Sequence, residues 1–438
     1  MAVLTFKGGI HPHDGKNLSK KKPITQYKPK GDLVFPVSQH IGAPANPIVK
    51  VGDKVLVGQL IAEANGFVSA NIHSSVSGTV KAVEPRLVSS GGMVNSIVIE
   101  NDNAYKTIDT GIVKTLENCS KEEIRELVKE AGVVGMGGAG FPTHVKLTPK
   151  SDEAIEYVIV NGAECEPYLT SDYRRMLETP ELIVEGLKVV LALFKRAKGI
   201  IAIEDNKRDV IIKMKKLAQS EPRIEVKTVY TKYPQGSERH LIHALTKRYI
   251  NSNMLPADAG CIVDNVDTIV AINRAVRMRK PLISRIITVT GDAVKEPGNF
   301  EVLMGTNIKN FIEDIGGFKS EPEKIIAGGP MMGIAMFDLD VPAEKSLSAL
   351  LCMVEDEVSK QVTSACINCG RCVKVCPGCV LPSKLADLAE RGDTDGFIKL
   401  DGMECCECGC CSYVCPAKRN LTQSIKSMRK DVLASRKK

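Results

Sequence analysis

Tryptophan is absent from this chain, and aromatic residues of all kinds make up only 4% of it. So few rings, with no interleaving of aromatic and basic residues, give nucleic-acid bases nothing to stack on, and nucleic acid is not an expected partner. Long apolar runs are also missing. A helix that crosses a bilayer needs about 20 consecutive apolar residues, and the nearest approach, residues 189–194, is closed off by Lys188 and Lys195. No secretory leader is expected at the start. Nor is there a large charge imbalance: 59 basic against 52 acidic residues leave a formal charge of +7. The basic residues gather at 16–30 and 426–438; a solvated surface accounts for them, as does docking on a membrane face or an acidic partner. At this length the chain can hold about two to four domains with cores of their own.

Cysteine, by contrast, is abundant. Eight of the fifteen fall in two copies of one phrase, C-x2-C-x2-C-x3-C-P. The first is Cys366, Cys369, Cys372, Cys376 and Pro377; the second is Cys405, Cys408, Cys411, Cys415 and Pro416. Two-residue gaps let three consecutive thiolates take three corners of one iron–sulfur cube, and the fourth cysteine of such a run ligates the other cube. The doubled phrase predicts a two-[4Fe–4S] ferredoxin module. One cube takes Cys366, Cys369, Cys372 and Cys415; the other takes Cys405, Cys408, Cys411 and Cys376. Zinc is the competing occupant of paired C-x2-C units, but it takes four ligands at a time and has no use for a third cysteine in each run. Open thiolates holding iron need a reducing compartment, so the cytoplasm is expected. Cys379, Cys406 and Cys410 read as packing neighbours of the runs or as alternative ligands, and His11, His13, His40 and His73 as surface or core residues.

Upstream, residues 1–110 read as an all-β domain, with short β-branched runs such as 47–51 and 96–100 punctuated by glycine and proline. Residues 111–280 open with a helix announced by the capping box Ser120/Glu123, with Ile124, Leu127 and Val128 on one face. Then comes Gly135-Met-Gly-Gly-Ala-Gly-Phe-Pro-Thr-His-Val-Lys146, whose glycines let the backbone approach a ligand and offer N–H groups to phosphate. A helix rather than a strand precedes it, so it is not the dinucleotide fingerprint, and no Gly-Lys-Ser/Thr makes it a P-loop. Strands at 157–160, 199–203 and 224–230 alternate with helices at 181–196, 209–217, 237–247 and 268–278. This predicts a mostly parallel sheet with ligands beyond the strand carboxyl ends. Asn161-Gly-Ala-Glu-Cys-Glu-Pro167 and Gly236-Ser-Glu238 fall at such ends, where acidic residues serve equally as helix caps or as ligand groups. Residues 281–345 read as a small α+β module, a hairpin turning at 296–299 and a helix from Thr306; 328–333 is a loop without an assigned role. Residues 346–438 hold the cysteine runs and the basic tail.

Three stretches resemble known families. Residues 51–58 and 74–80 resemble the biotinyl/lipoyl barrel-sandwich hybrid, but the hairpin tip at 69–74 lacks that family's lysine, which implies a structural or docking role. The loop 135–146 and the strand end 161–167 resemble the flavin and NADH site of the complex I flavoprotein subunit, where they read close to G-R-G-G-A-G-F-P-T-x-x-K and N-A-D-E-x-E-P. Gly236-Ser-Glu238 and Asp264-Asn-Val-Asp-Thr268 match that family's later G-E-E and N-N-V-E-T, and the module at 281–345 resembles the β-grasp (SLBB) domain that follows there. The resemblance implies that Gly135, Gly137, Gly138, Gly140 and Lys146 hold the phosphate and ribityl chain of FMN, and that Asn161, Glu164, Asn265 and Thr268 line the flavin. It implies further that Phe141 stacks on NAD(H), with Glu166 and Glu238 on the ribose or adenosine side. Ala163, Ser237 and Asp264 depart from the family's pattern.

The order of modules resembles the C subunit of the Rnf complex, a membrane-bound, ion-translocating ferredoxin:NAD+ oxidoreductase. The implied architecture is multidomain α/β plus α+β: an all-β barrel-sandwich hybrid, a Rossmann-like FMN/NADH-binding α/β domain, the β-grasp module, then the two-[4Fe–4S] ferredoxin domain. The implied function is that of a peripheral subunit on the cytoplasmic side of the cell membrane. It would exchange hydride between NAD(H) and FMN and pass single electrons through two clusters, while other subunits move the ion and bring in ferredoxin. No acid–base catalytic residue is expected, since the protein orients and tunes its cofactors. The alternatives are a microcompartment cobalamin reductase and an electron-carrier adaptor without flavin.

Overall fold

The computed structural model describes residues 3–111 and 115–436; the last two lysines of the basic tail lie outside them. The first domain is built from two small sheets. Leu33–Pro36, Met93–Asn101, Gly78–Leu87 and Lys54–Val55 form one, and Asn46–Pro47, Leu60–Glu63 and Ile72–His73 the other. Leu33 and Phe35, alternate residues of their strand, sit opposite Ile99 and Ile97 and are fully buried with them. The strand expected at 47–51 shrinks to Asn46–Pro47, because the chain turns at Gly52 (φ +93°), where the Asp53 carboxylate accepts from the Lys50 N–H and closes the turn.

A four-stranded parallel sheet is the centre of the second domain. Its order is Ile224–Val229, Lys198–Glu204, Tyr157–Gly162, Cys261–Asn265. The strands are apolar on both sides, as strands covered on both faces must be. Val158, Val160, Ile201 and Ile203 face the helices Pro180–Leu193, Arg208–Ala218 and Val266–Met278, while Ile159, Ile200 and Val263 face the helix Glu238–Thr246. Strand order reverses between Tyr157–Gly162 and Cys261–Asn265. In open α/β sheets the crevice at such a switch point is where ligands bind. The opening helix Lys121–Glu130 carries the expected capping box and buries Ile124, Leu127 and Val128.

The third module is a six-stranded mixed sheet with the helix Ile308–Asp314 against it. Two of its strands come from outside the expected span of 281–345. Ala349–Met353 lies centrally, between Ser284–Thr290 and Lys324–Ala327, and Ile24–Gln26 runs parallel to Gly298–Leu303 at an edge. Both are short, and pairing across a long loop leaves no local signal in so short a run. Residues 328–333 form the tip of the hairpin between Lys324–Ala327 and Ile334–Met336.

In the last module the helices Arg371–Val375, Pro382–Glu390, Thr394–Lys399, Cys410–Tyr413 and Leu421–Ser435 enclose a small core of Val380, Leu385, Phe397, Ile425 and Val432. The N-terminal segment ties this module to the parallel sheet. Leu4 bridges to Val229, the Ile10 N–H donates to the Tyr233 carbonyl (2.9 Å), and the Gly9 N–H donates to the Val375 carbonyl (2.8 Å).

Candidate functional site

The glycine loop lies at the switch-point crevice and is fixed from behind. The Gly135 N–H donates to the Phe141 carbonyl at 2.8 Å. The Thr268 hydroxyl accepts from the Met136 N–H at 2.9 Å, and the buried Arg285 donates to the Met136 carbonyl at 3.1 Å. From the barrel domain, the Ile41 N–H donates to the Gly140 carbonyl. The apex is free. Gly137, Gly138 and Ala139 are exposed, and among the described residues their N–H groups have no protein acceptor. A Cβ at Gly138 would meet nothing within 4 Å, whereas one at Gly137 would lie 2.8 Å from the Asn265 Cβ. This is a cradle with open donors above and a fixed floor below, and it fits the phosphate-bearing chain of FMN.

Beside the loop, Lys146 donates to Glu238 Oε1 (2.9 Å) and to the Val263 carbonyl (2.7 Å), with Asp264 Oδ1 at 3.9 Å. Burial opposes its charge, but the Asp264 and Glu238 carboxylates outweigh that and hold its pKa above the usual lysine value. Asp264 is buried, and neither of its oxygens has a hydrogen-bond donor among the described residues. Burial pushes it up to about 6, against the pull of Lys146. Of the three departures from the flavoprotein pattern, this one leaves unsatisfied polar atoms facing Lys146.

The strand end at 161–167 carries the remaining residues. The Asn161 amide donates to the Gly236 carbonyl (2.8 Å), which brings the two strand ends together. Glu164 accepts from the Asp172 N–H (2.8 Å), and Asp172 Oδ2 accepts from the Asn265 amide (2.6 Å). Asn265 also caps the helix Val266–Met278 by accepting from the Asp267 N–H. Asp172 is pushed up to about 8, first by burial and then by the Glu164 and Asp267 carboxylates. Glu166 does not face this network. Its two oxygens accept from the Met331 and Met332 N–H groups at 3.2 and 2.9 Å, at the hairpin tip of 328–333. Burial raises it to about 7 despite these two donors. Phe141 is half-buried beside the loop.

Sequence reasoning missed Lys16. It belongs to the basic cluster expected at the surface, yet it is buried, pairs with Glu164 at 3.4 Å and donates to the Glu164 and Glu166 carbonyls at 2.8 and 3.0 Å. One lysine among several gives no sequence signal of such a role. Asp172 and Arg285 were missed for the same reason, since nothing local marks them.

The two cysteine runs differ in setting. Cys366, Cys369, Cys372 and Cys415 line one cavity of about 100 Å³, together with Ile367, Gly370, Ser383, Ala417 and Arg419. Cys376, Cys405 and Cys411 pack together into the module's core. Cys408 and Cys410 are buried with Ile10 and Tyr233, against Cys165 and Met331. The Tyr233 hydroxyl donates to the Cys408 carbonyl at 2.7 Å. Among the described residues no three His, Cys, Asp or Glu side chains converge as ligands of a single metal ion.

Comparison with known proteins agrees with this geometry. Residues 128–274 match the family described as the Nuo51 FMN-binding domain, residues 4–104 the RnfC barrel sandwich hybrid domain, and residues 286–335 the SLBB domain. A protein of Acetobacterium woodii, named as the C subunit of a Na(+)-translocating ferredoxin:NAD(+) oxidoreductase complex, is 45% identical over 99% of this chain and 98% of its own length. A Clostridium ljungdahlii protein, named as the C subunit of the proton-translocating counterpart, is 45% identical over 89% of this chain and 85% of its own. Among solved structures, a chain of an NAD+-reducing [NiFe]-hydrogenase shares the fold, with a TM-score of 0.52 at 17% identity over 76% of this chain and 67% of that one. The chain is thus an oxidoreductase component built around an FMN-binding domain of the Nuo51 type. It belongs to the C-subunit family of Rnf ion-translocating oxidoreductase complexes.

Proposed function

We propose that this chain links NAD(H) to two [4Fe–4S] clusters by way of FMN, as the peripheral, cytoplasmic-side subunit of a membrane-bound Rnf complex that takes electrons from ferredoxin through a partner subunit. The observation that carries this reading is the shared packing of Cys165, from the flavin-site strand end, with Tyr233, Cys408 and Cys410. It sets the crevice and the second cysteine run side by side within one chain. FMN, when bound, supplies the exchange between two-electron chemistry with nicotinamide and one-electron chemistry with clusters.

The chain's own residues bind and orient. The N–H groups of Gly137, Gly138 and Ala139 would donate to the FMN phosphate region, with Gly135 and Gly140 shaping the loop and Lys146 supplying a positive charge that Asp264 keeps in place. Asn161, Glu164, Asn265 and Thr268 would line the flavin, held by the Lys16–Glu164–Asp172 network. Phe141 would face the nicotinamide nucleotide. Glu166 and Glu238 would contact its ribose or adenosine side by exchanging their present partners, Met331, Met332 and Lys146. The cavity at Cys366, Cys369, Cys372 and Cys415 draws three cysteines from the first run and one from the second, as interleaved cubes require. That no helix among the described residues is long and apolar enough to cross a membrane accords with a peripheral position.

Anaerobic purification followed by NADH titration, read by absorbance and low-temperature EPR, tests the reading. Flavin bleaching is expected, together with iron and sulfide for two cubes. Bleaching with silent clusters would mean that the cubes lie too low in potential for NADH to reduce and that electrons run toward NAD+. Iron and sulfide without flavin, or zinc in place of iron, would overturn it.

A further inference from the structure

The two cysteine runs face different surroundings. Cys408 and Cys410 of the second are buried against Ile10, Tyr233 and Cys165, while Cys366 and Cys369 of the first are exposed. Around them stands an unusual surface. From Val358 to Ala386 and from Cys408 to Lys430 the sequence contains no aspartate or glutamate. Arg371, Lys384 and Lys418 directly follow Gly370, Ser383 and Ala417 in the wall of the cysteine-lined cavity, and Lys374 lies three residues beyond Arg371 in the same short helix. All four are exposed, and among the described residues none has an ion-pair partner. Arg419, by contrast, is neutralised by Asp387 and Glu390. Uncovered apolar side chains accompany these charges: Ile367, in the wall of the same cavity, is 66% exposed, and Val362, four residues before Cys366, is 88% exposed. Exposed apolar residues beside unpaired charge of one sign mark an interface rather than plain solvated surface.

We propose that this face is the docking site of an acidic one-electron carrier domain, which passes electrons to the cube on Cys366, Cys369, Cys372 and Cys415. The inference rests on the two-cluster reading above and adds to it the partner and the place. Charge complementarity selects an acidic surface, steers its approach and rejects basic ones. The choice between an acidic protein and an anionic membrane follows from what sits in the middle of the patch. Exposed cluster ligands are of use to a redox partner, and a lipid headgroup carries no electron. The carrier gives up one electron and the cube accepts it, with no bond made or broken.

The test uses the holo chain and, as a probe standing in for the partner subunit's carrier domain, a small acidic two-[4Fe–4S] ferredoxin, with binding measured by anaerobic titration calorimetry at low and at physiological salt. Lys384→Glu combined with Lys418→Glu lies outside the spans between cysteine ligands. It should weaken binding about tenfold at low salt and flatten the salt dependence. Lys195→Glu, on an exposed lysine of the parallel-sheet domain, should leave binding unchanged. Equal affinity in the patch variant, or equal loss in the Lys195 variant, would overturn the proposal while the two-cluster reading stood. So would holo protein that ignores the ferredoxin and binds phosphatidylglycerol vesicles through the same lysines. A preparation with no iron–sulfur signal would instead sink the underlying reading.

Discussion

Gly137 and Gly138 are neighbours in one loop, yet they answer to different forces. A side chain at Gly137 collides with Asn265, so Gly137→Ala should destabilise the protein by about 1–3 kcal/mol even without flavin. A side chain at Gly138 meets only open space, so Gly138→Ala should leave the flavin-free protein within about 0.5 kcal/mol of wild type while lowering FMN retention. Thermal unfolding together with flavin content separates the two; equal behaviour would refute the cradle. Glu166 gives a pH signature. Burial raises its pKa to about 7, so the folded state holds its proton more tightly than the unfolded chain does. The stability this lends at low pH is therefore lost as pH rises from about 4.5 to about 7. Melting temperatures of wild type and Glu166→Gln should diverge over that window, with wild type losing ground toward neutral pH; parallel curves would count against it.

Among the elements, the N-terminal segment connects what the sequence keeps apart. Gly8 and Gly9 adopt φ of +83° and +82°, and a Cβ on each would come within 2.9 Å of the Cys376 carbonyl oxygen and 2.7 Å of the Tyr233 carbonyl oxygen respectively. Valine at either position should cost about 1–3 kcal/mol. The pair Gly8→Val and Gly9→Val should loosen the cysteine module, making it more sensitive to protease without loss of FMN. Unchanged digestion would show that the contacts through Glu404, which accepts from Ser252 and pairs with Arg239, hold the module without help. The opening helix of the flavin domain was legible because its signal is local. Ser120 and Glu123 cap it within one turn, and Ser120→Ala should cost about 1 kcal/mol by thermal unfolding. Ala349–Met353 was not legible as a strand of the third module, because it is a five-residue run whose pairing with Ser284–Thr290 and Lys324–Ala327 is not encoded within the run itself.

At the scale of the whole molecule, Lys345 joins three modules behind the flavin loop. It is fully buried at the end of the third module, and its ammonium donates to the Asn71 carbonyl of the barrel (2.6 Å) and the Gly132 carbonyl of the flavin domain (2.7 Å). Burial lowers its pKa to about 7. The folded state therefore disfavours its charge, and the resulting penalty disappears as pH climbs from about 7 to about 10.5. Lys345→Met should leave two buried carbonyls unsatisfied, at a cost of about 1–3 kcal/mol. Wild type should also gain stability relative to the variant between neutral pH and pH ~10; a constant difference would mean that the buried amine keeps its charge with an unshifted pKa.

The cysteine phrases, the glycine loop, the capping box and the alternation of strands and helices were all readable in the chain alone. Each is a short pattern whose chemistry or hydrogen bonding closes within a few residues. They determined the kinds of module present, the residues expected to hold flavin and clusters, and the family. Tertiary structure alone decided what lies against what. It buried Lys16 out of a surface-like lysine cluster and turned Glu166 onto the Met331–Met332 backbone. It also carried residues 24–26 and 349–353 into the third sheet, and packed Cys408 and Cys410 against Tyr233 and Cys165 while leaving Cys366 and Cys369 exposed. Those outcomes depend on packing between segments tens to hundreds of residues apart, where burial and charge pairing take effect only once the fold has closed.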